Sequence, residues 1–554
     1  MNRFLTSVCV LLLAAGSVNA QSAQVKNAAK STFKLTAYDS NGNATSSTCG
    51  VFVTADGEAI GSWSALSSAA SAVVTDFNGK TYPVQKLIGA NEIYDVCRFK
   101  VGTQKAQAVT LAKTLMPKDS KLWLVGSEQK KPTAAQYEIE RQETFMDKYG
   151  YYVLAFRDSQ GIPGSAMVNA NGELVGLFQS APSAVDARYA AQLKFDALTI
   201  NNPLYTGSGI RLQLPADKKD AQLMVMFAAD KGDSAKYAGY ISDYISQFPH
   251  DVDGYSMDAL RRVNYGDYAG ADSQMQTALK QATNKAEAHS EYSRVMYQKL
   301  VYSNDSLYND WTLDRAYNEA EKAYKLDAQP AYQHRMAQIL YTKGEYQKAY
   351  DMFDALTKTP ICNSEIFFEA AQCKTQLGAP NEQVLVLLDS CVARCPQPLT
   401  TISAPYILTR GNLRDAMKDY RGALADYNTY DTLMLGRASA DFYYTRYTCE
   451  VNLRQYQQAL NDIAHAAIVA QPDMRPPYLA ELASLQLRVN KLEDDVKTAD
   501  LCLNLDPKST DALVIKGVAL NALKRKAEAI ECLKKAAELG DKRGDEYIKK
   551  YSSK

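Results

Sequence analysis

Beyond about residue 220 the 554-residue chain repeats itself. A position that is usually alanine recurs at Tyr237, Ala271, Ala316, Ala349, Gln383, Ala423, Ala459, Asp495 and Ala529, at intervals of 34, 45, 33, 34, 40, 36, 36 and 34 residues. Twelve places before it stand small residues: Ala259, Ala337, Ala371, Gly411, Ala483 and Gly517. Four places after it come side chains able to pack, among them Ile241, Phe353, Tyr427 and Leu533. A repeat of this length accommodates two helices and a turn, and no such unit buries its apolar face alone. The spacing therefore predicts a solenoid of about eight to nine helix pairs over residues 220–554. The charged segment 541–550 is expected to close it as a cap helix, and the interval of 45 predicts an insertion near residues 303–311.

Tyr268, Tyr346, Tyr420 and Tyr456 recur three places before the repeating position, locked to the turn of each pair. That spacing fits packing between helices better than a ligand-binding face. Gly266-Asp267-Tyr268 and Gly344-Glu345-Tyr346 read as inter-helix turns, and Pro249, Pro330, Pro472 and Pro507 punctuate the repeat ends. As a set these features resemble the tetratricopeptide repeat family, which implies a groove suited to a peptide or partner protein.

Upstream of residue 205 the period is different. Short apolar or alternating runs such as Phe33-Lys34-Leu35-Thr36-Ala37-Tyr38 and Lys121-Leu122-Trp123-Leu124-Val125 are separated by turn signals at Asn41-Gly42, Asp56-Gly57 and Asn171-Gly172. Many short strands between turns predict an all-β domain, a barrel or sandwich, over residues 21–205. Residues 206–219, with Gly207-Ser208-Gly209 and Pro215, read as a linker or an edge strand leading out.

Three stretches of this half resemble trypsin-like serine proteases of the HtrA type. Thr48-Cys49-Gly50-Val51-Phe52-Val53-Thr54-Ala55-Asp56-Gly57 is similar to the strand and turn before the family's histidine. Ile93-Tyr94-Asp95-Val96-Cys97-Arg98-Phe99 is similar to the strand carrying its aspartate. Gly161-Ile162-Pro163-Gly164-Ser165-Ala166 is similar to the stretch carrying its serine. The resemblance implies a double β-barrel. Carried over residue by residue, it places Ser64 where the histidine belongs, keeps Asp95, and places Pro163 at the nucleophile.

Composition sharpens that reading. The four histidines are His250, His289, His334 and His465, so the first 249 residues contain none. A serine hydroxyl needs a neighbouring base to attack a carbonyl. Proline also lacks the N–H that the family's nucleophile residue lends to its oxyanion hole; losing one such donor costs about 3 kcal/mol of transition-state stabilisation. The expectation is a pseudoprotease that binds protein or peptide partners in the repeat groove and in the barrel cleft, as a scaffold or adaptor. The alternative is a serine-type protease using non-standard residues, for example Ser165 with a lysine.

Other chemistry is not signalled. Lys+Arg and Asp+Glu both number 62, which gives no electrostatic reason to expect nucleic acid as partner. No phosphate-binding glycine loop, zinc motif or His/Cys ligand spacing occurs, so no cofactor and no metal is expected. Residues 1–20 read as a secretory signal, with Arg3, an apolar run from Val8 to Ala15 and small residues before Gln21. The mature chain is then exported, periplasmic or secreted, with no segment apolar enough to span a bilayer. Nine of the ten cysteines would remain; Cys49 with Cys97 and Cys373 with Cys391 are the pairs to test as disulfides, against the plainer role of small buried hydrophobes.

Overall fold

The structure, a computed structural model, describes residues 22–128, 130–155, 161–303 and 308–552. The signal segment 1–20 lies outside them, as does part of the expected insertion. The chain divides into two compact units, Met1–Asn284 and Lys285–Lys554.

The first unit opens with two antiparallel barrels, together the trypsin-like double barrel. Strands β1 (Thr32–Tyr38), β2 (Ala44–Phe52), β3 (Glu58–Gly61), β4 (Ser71–Thr75), β5 (Thr81–Asn91) and β6 (Val96–Val101) close in the order β1-β2-β3-β6-β5-β4. Strands β7 (Lys121–Glu128), β8 (Lys131–Phe145), β9 (Tyr149–Leu154), β10 (Ala166–Val168), β11 (Leu174–Phe178) and β12 (Ser183–Asp186) close as β10-β11-β12-β9-β8-β7. The alternation along β1 decides its faces: Phe33, Leu35 and Ala37 point into the barrel while Lys34 stays exposed. At the Asp56-Gly57 turn glycine is required. Its φ is +95°, and a Cβ there would come within 2.5 Å of the Val101 carbonyl.

After the second barrel the chain returns to the first. Residues 206–219 do not hang between domains. Ile210, Leu212 and Leu214 are buried, and Leu212 bridges Leu87 of β5 in parallel through Leu87 N–H to Arg211 O (2.8 Å) and Gln213 N–H to Leu87 O (2.6 Å). Asp217 then caps the helix Lys218–Ala229, accepting from the amides of Lys219 and Asp220. This helix and Ser234–Gln247 place Met224, Val225, Tyr240, Ile241 and Tyr244 in the same core as Phe33, Leu35 and Phe99 of the first barrel. Asp243 receives both Lys86 (2.9 Å) and Arg211 (3.4 Å), and the Tyr240 hydroxyl accepts from Leu212 N–H (3.0 Å). The pair Val252–Asn264 and Tyr268–Gln281 completes the unit.

The second unit is a solenoid of seven further helix pairs: Lys285–Tyr302 with Leu313–Leu326, Pro330–Thr342 with Tyr346–Leu356, Ser364–Gln376 with Asn381–Ala393, Ala404–Ala416 with Tyr420–Met434, Ala440–Asn452 with Tyr456–Val469, Arg475–Arg488 with Leu492–Leu505, and Thr510–Ala522 with Lys526–Glu538. A final helix, Lys542–Ser552, sets Tyr547, Ile548 and Tyr551 against Leu513, Val514 and Leu533 of the last pair.

The repeating position falls in the second helix of every pair. Ala271, Ala316, Ala349, Ala423, Ala459, Asp495 and Ala529 are all fully buried. The small residue opposite lets the helices approach: a Cβ on Gly517 would meet Leu533 Cγ at 2.8 Å. Tyr237 is half-buried, and Gln383 departs further, since it is exposed and its neighbour Val384 is buried. Most turns run five residues from a left-handed residue to the buried position, as from Gly344 to Ala349, whereas Gly378 lies six from Val384. The extra residue in the Gly378-Ala379-Pro380 turn shifts the face by one place.

Candidate functional site

The three triad positions come together between the barrels. Ser62, Trp63 and Ser64 follow the end of β3; Asp95 occupies the turn into β6 with φ +45°, a left-handed conformation that aspartate tolerates. Its carboxylate is fully engaged. Oδ1 accepts the Ser64 amide at 2.6 Å; Oδ2 accepts the Ser62 hydroxyl at 2.7 Å and the Ser64 hydroxyl at 3.2 Å. The two hydroxyls are themselves 2.9 Å apart. Ser62 is buried and Ser64 exposed. An imidazole titrates near neutral pH and can take and return a proton; hydroxyls clustered on a carboxylate have no such base among them.

Cys97 lies against the same turn, its thiol 3.3 Å from the Ser62 carbonyl. Burial, and then the charge of Asp95, push that thiol far above its ordinary range. It is therefore a poor nucleophile.

Pro163 and Gly164 complete the site from the second barrel. Cys49 N–H donates to Pro163 O at 3.0 Å, and a Cβ on Gly164 would fall 2.0 Å from the Cys49 carbonyl oxygen and 3.2 Å from Ser62 N. Only glycine fits there, at φ +85°. Three consecutive backbone positions are thus closed to an oxyanion. Pro163 has no N–H, the Gly164 amide donates to Phe178 O (2.8 Å), and the Ser165 amide donates to Ile162 O (3.1 Å).

Ser165 is buried and lines a cavity of about 360 Å³ between the barrels. The lysines lining it, Lys34 and Lys130, are exposed, and among the described residues neither is hydrogen-bonded to Ser165. The four histidines all serve the helices. His250 bonds Gln281 O (3.0 Å), His289 and His334 meet Glu319 and Glu369 (2.5 Å each), and His465 packs on the Tyr443 ring.

The cysteine pairs singled out from sequence are not disulfides. Cys97, Cys373 and Cys391 are buried thiols, and burial raises the last two to about 12. The turn tyrosines pack between helices: Tyr268 is buried, and Tyr346 meets Tyr341 ring to ring at 5.4 Å. Among the described residues no cluster of His, Cys, Asp or Glu is arranged for a metal, and no helix is long and apolar enough to cross a membrane.

Two features carried no separate sequence signal. One is Ser62, hidden beside Ser64. The other is a cavity of about 540 Å³ in the second unit, lined by the first helices of three successive pairs through Arg294, Tyr297, Arg335, Gln338, Glu365 and Glu369. Arg335 donates to Gln338 Oε1 (2.7 Å) and lies 5.5 Å over the Tyr297 ring, with no carboxylate within ion-pair distance among the described residues. Burial, and then Arg294 beside it, lower its affinity for its proton.

The first unit is thus a double barrel of two closed six-stranded antiparallel sheets, with this cluster between them. No family model matches the chain, and no curated protein matches it. Among solved structures it is similar to the serine endoprotease from Yersinia pestis, at 17% identity over 33% of this chain and 66% of that one, with a TM-score of 0.26. It is similar also to an HtrA-type protease, AlgW, with a tripeptide, at 17% identity over 30% of this chain and 60% of that one, with a TM-score of 0.27. The chain thus spans less than two thirds of either structure, and likenesses this distant assign no role to any residue.

Proposed function

We propose that this protein is an exported, non-catalytic scaffold or adaptor: a degenerate trypsin-like barrel pair joined to a tetratricopeptide array, binding protein or peptide partners. One observation carries the reading. The site where a hydrolase would hold base and nucleophile holds instead Asp95 ringed by the Ser62 and Ser64 hydroxyls, with Pro163 opposite. Its hydrogen bonds are satisfied within the cluster, which suits a structural junction, and its proton acceptor is a carboxylate, a far weaker base than an imidazole.

The inner cavity around Arg335 supports the binding half of the proposal. A partly buried guanidinium with one amide acceptor retains unused donors, and satisfying them on an acidic partner offsets the cost of desolvation. Glu365 at the same cavity disfavours a uniformly acidic ligand, so the fitting partner is a peptide of mixed charge.

The test is capture from an envelope extract by the full chain and by its Arg335→Glu variant, alongside incubation with unfolded casein. The expected result is a partner retained by the wild type, held at least tenfold less by the variant, and intact casein. Casein cleavage by the purified protein would overturn the proposal.

A further inference from the structure

We propose that the cavity between the two barrels is a binding site for a small apolar carboxylate, and that Lys34 and Lys130 meet its charged end. The site adjoins the degenerate cluster and deepens the reading of this domain as a binding module.

The interior comes first. Phe33, Val125 and Ser165 are buried in its wall, and Cys49, Leu124, Ala135 and Ile162 are half-buried beside them. At about 360 Å³ it falls within the range of pockets that hold small molecules, about 300–1,000 Å³. A water's share of liquid volume is about 30 Å³ and a methylene takes nearly the same, so on the order of a dozen non-hydrogen atoms fill it.

The strands select the kind of occupant. Phe33 and Lys34 of β1 face Gly50 and Cys49 of β2, and Lys34 also faces Thr75 of β4. Leu124 and Val125 of β7 lie between Ala135 and Ala134 of β8 on one side and Met167 and Ala166 of β10 on the other. These two strands are flanked on both sides, so a peptide finds no free edge to extend on them. What remains is a walled volume that holds a compact molecule by shape.

Charge selects its polar end. Lys34 and Lys130 are exposed and lie on opposite barrels. Neither makes an ion pair among the described residues. Asp76, which lines the same cavity, accepts the amides of Asn78 (2.9 Å) and Lys80 (2.8 Å) on one oxygen within its own turn, and its single charge leaves the two lysines in net excess. The turn at Gly79 reaches Lys130: a Cβ there would lie 3.7 Å from Lys130 Cε, so the first barrel's turn and the second barrel's lysine meet at the cavity. A largely apolar interior whose charged lining is net positive complements an apolar body ending in a carboxylate.

Titration calorimetry on the full chain with decanoate, decanol and decylammonium tests this, with 4-phenylbutanoate separating an aromatic from an aliphatic occupant. One carboxylate is expected to bind in the micromolar range and decylammonium not at all. Lys34→Gln with Lys130→Gln should weaken the carboxylate about five- to tenfold, the size of two exposed ion pairs, and leave decanol unchanged. Ala135→Trp should abolish binding by filling the volume, and its unfolding midpoint reports that the barrel still forms. Equal binding of all three head groups, binding that survives Ala135→Trp, or no carboxylate binding by the wild type would each overturn the proposal. None of these outcomes depends on partner capture or on casein, so the site and the scaffold reading fail separately.

Discussion

In the first barrel Asp95 is surrounded by donors: one amide and two hydroxyls meet its two oxygens. In the helical stack Asp495 is fully buried with no hydrogen-bond partner on either oxygen, and Glu450 is buried with Oε2 unpartnered. Burial holds Asp495 up at about 7. Burial, and then the charge of Asp462, hold Glu450 at about 8 despite Arg446 nearby. The barrel holds its carboxylate within a ring of donors. The stack tolerates buried acids because nearest-neighbour packing of whole helices outweighs one poor site, and because burial lets their carboxyls hold protons well above the usual carboxylate range.

The largest effect should come from cutting the chain between the regions. A fragment ending at residue 215 bares the first-barrel surface that Met224, Val225, Tyr240, Ile241 and Tyr244 cover. Each such side chain is worth about 1.5–3 kcal/mol of burial, so the five together are comparable to a typical domain's whole stability of about 5–15 kcal/mol. That fragment should aggregate, while one ending at residue 284 should unfold cooperatively in calorimetry. A soluble, cooperative 22–215 fragment would show that the first helices are accessories to the barrel rather than part of its core.

Next in size is Asp95→Ala. It removes the acceptor of the Ser64 amide and leaves the buried Ser62 hydroxyl only the Ser64 hydroxyl, at a cost of about 1–3 kcal/mol, with Asp95→Asn recovering part of it. Urea unfolding of the barrel measures both. A neutral Asp95→Ala would mean the hydroxyl cluster contributes nothing to the fold.

Asp495→Ala should act in the opposite direction, stabilising the stack by about 1–3 kcal/mol because it replaces an unsatisfied buried group with the residue usual at that position. Both acids have folded values raised above those of the open chain, so the native state holds protons that the unfolded chain releases. The stability they contribute is complete below about pH 4 and is lost as pH rises through 7 and 8. Thermal unfolding of the stack should therefore fall from pH 5 to pH 8, less steeply in Asp495→Ala. An equal slope in the two proteins would place the pH dependence elsewhere.

The helical half was legible because its period is set by packing: a small residue twelve places before a buried alanine marks where two helices cross. It failed at Gln383 for a local reason, the single residue added by the Pro380 turn. The barrels were legible as alternation and turns, and Asp95, Ser64 and Pro163 were located by their neighbours along the chain. The Ser62 bond to Asp95 joins residues 33 apart, and the pairing of Leu212 with Leu87 joins a short segment to a distant strand. Neither leaves a periodic trace, so residues 206–219 read as either a linker or an edge strand, and the pairing with Leu87 together with the buried Ile210, Leu212 and Leu214 favours the second.

The most direct measurement is labelling of the full chain with a serine-directed fluorophosphonate, read by mass spectrometry, for the wild type and for Pro163→Ser. With no imidazole in the first 249 residues and the Gly164 and Ser165 amides already committed, neither protein should carry label. A single labelled barrel serine in the wild type, lost on Ser165→Ala, would contradict the non-catalytic reading.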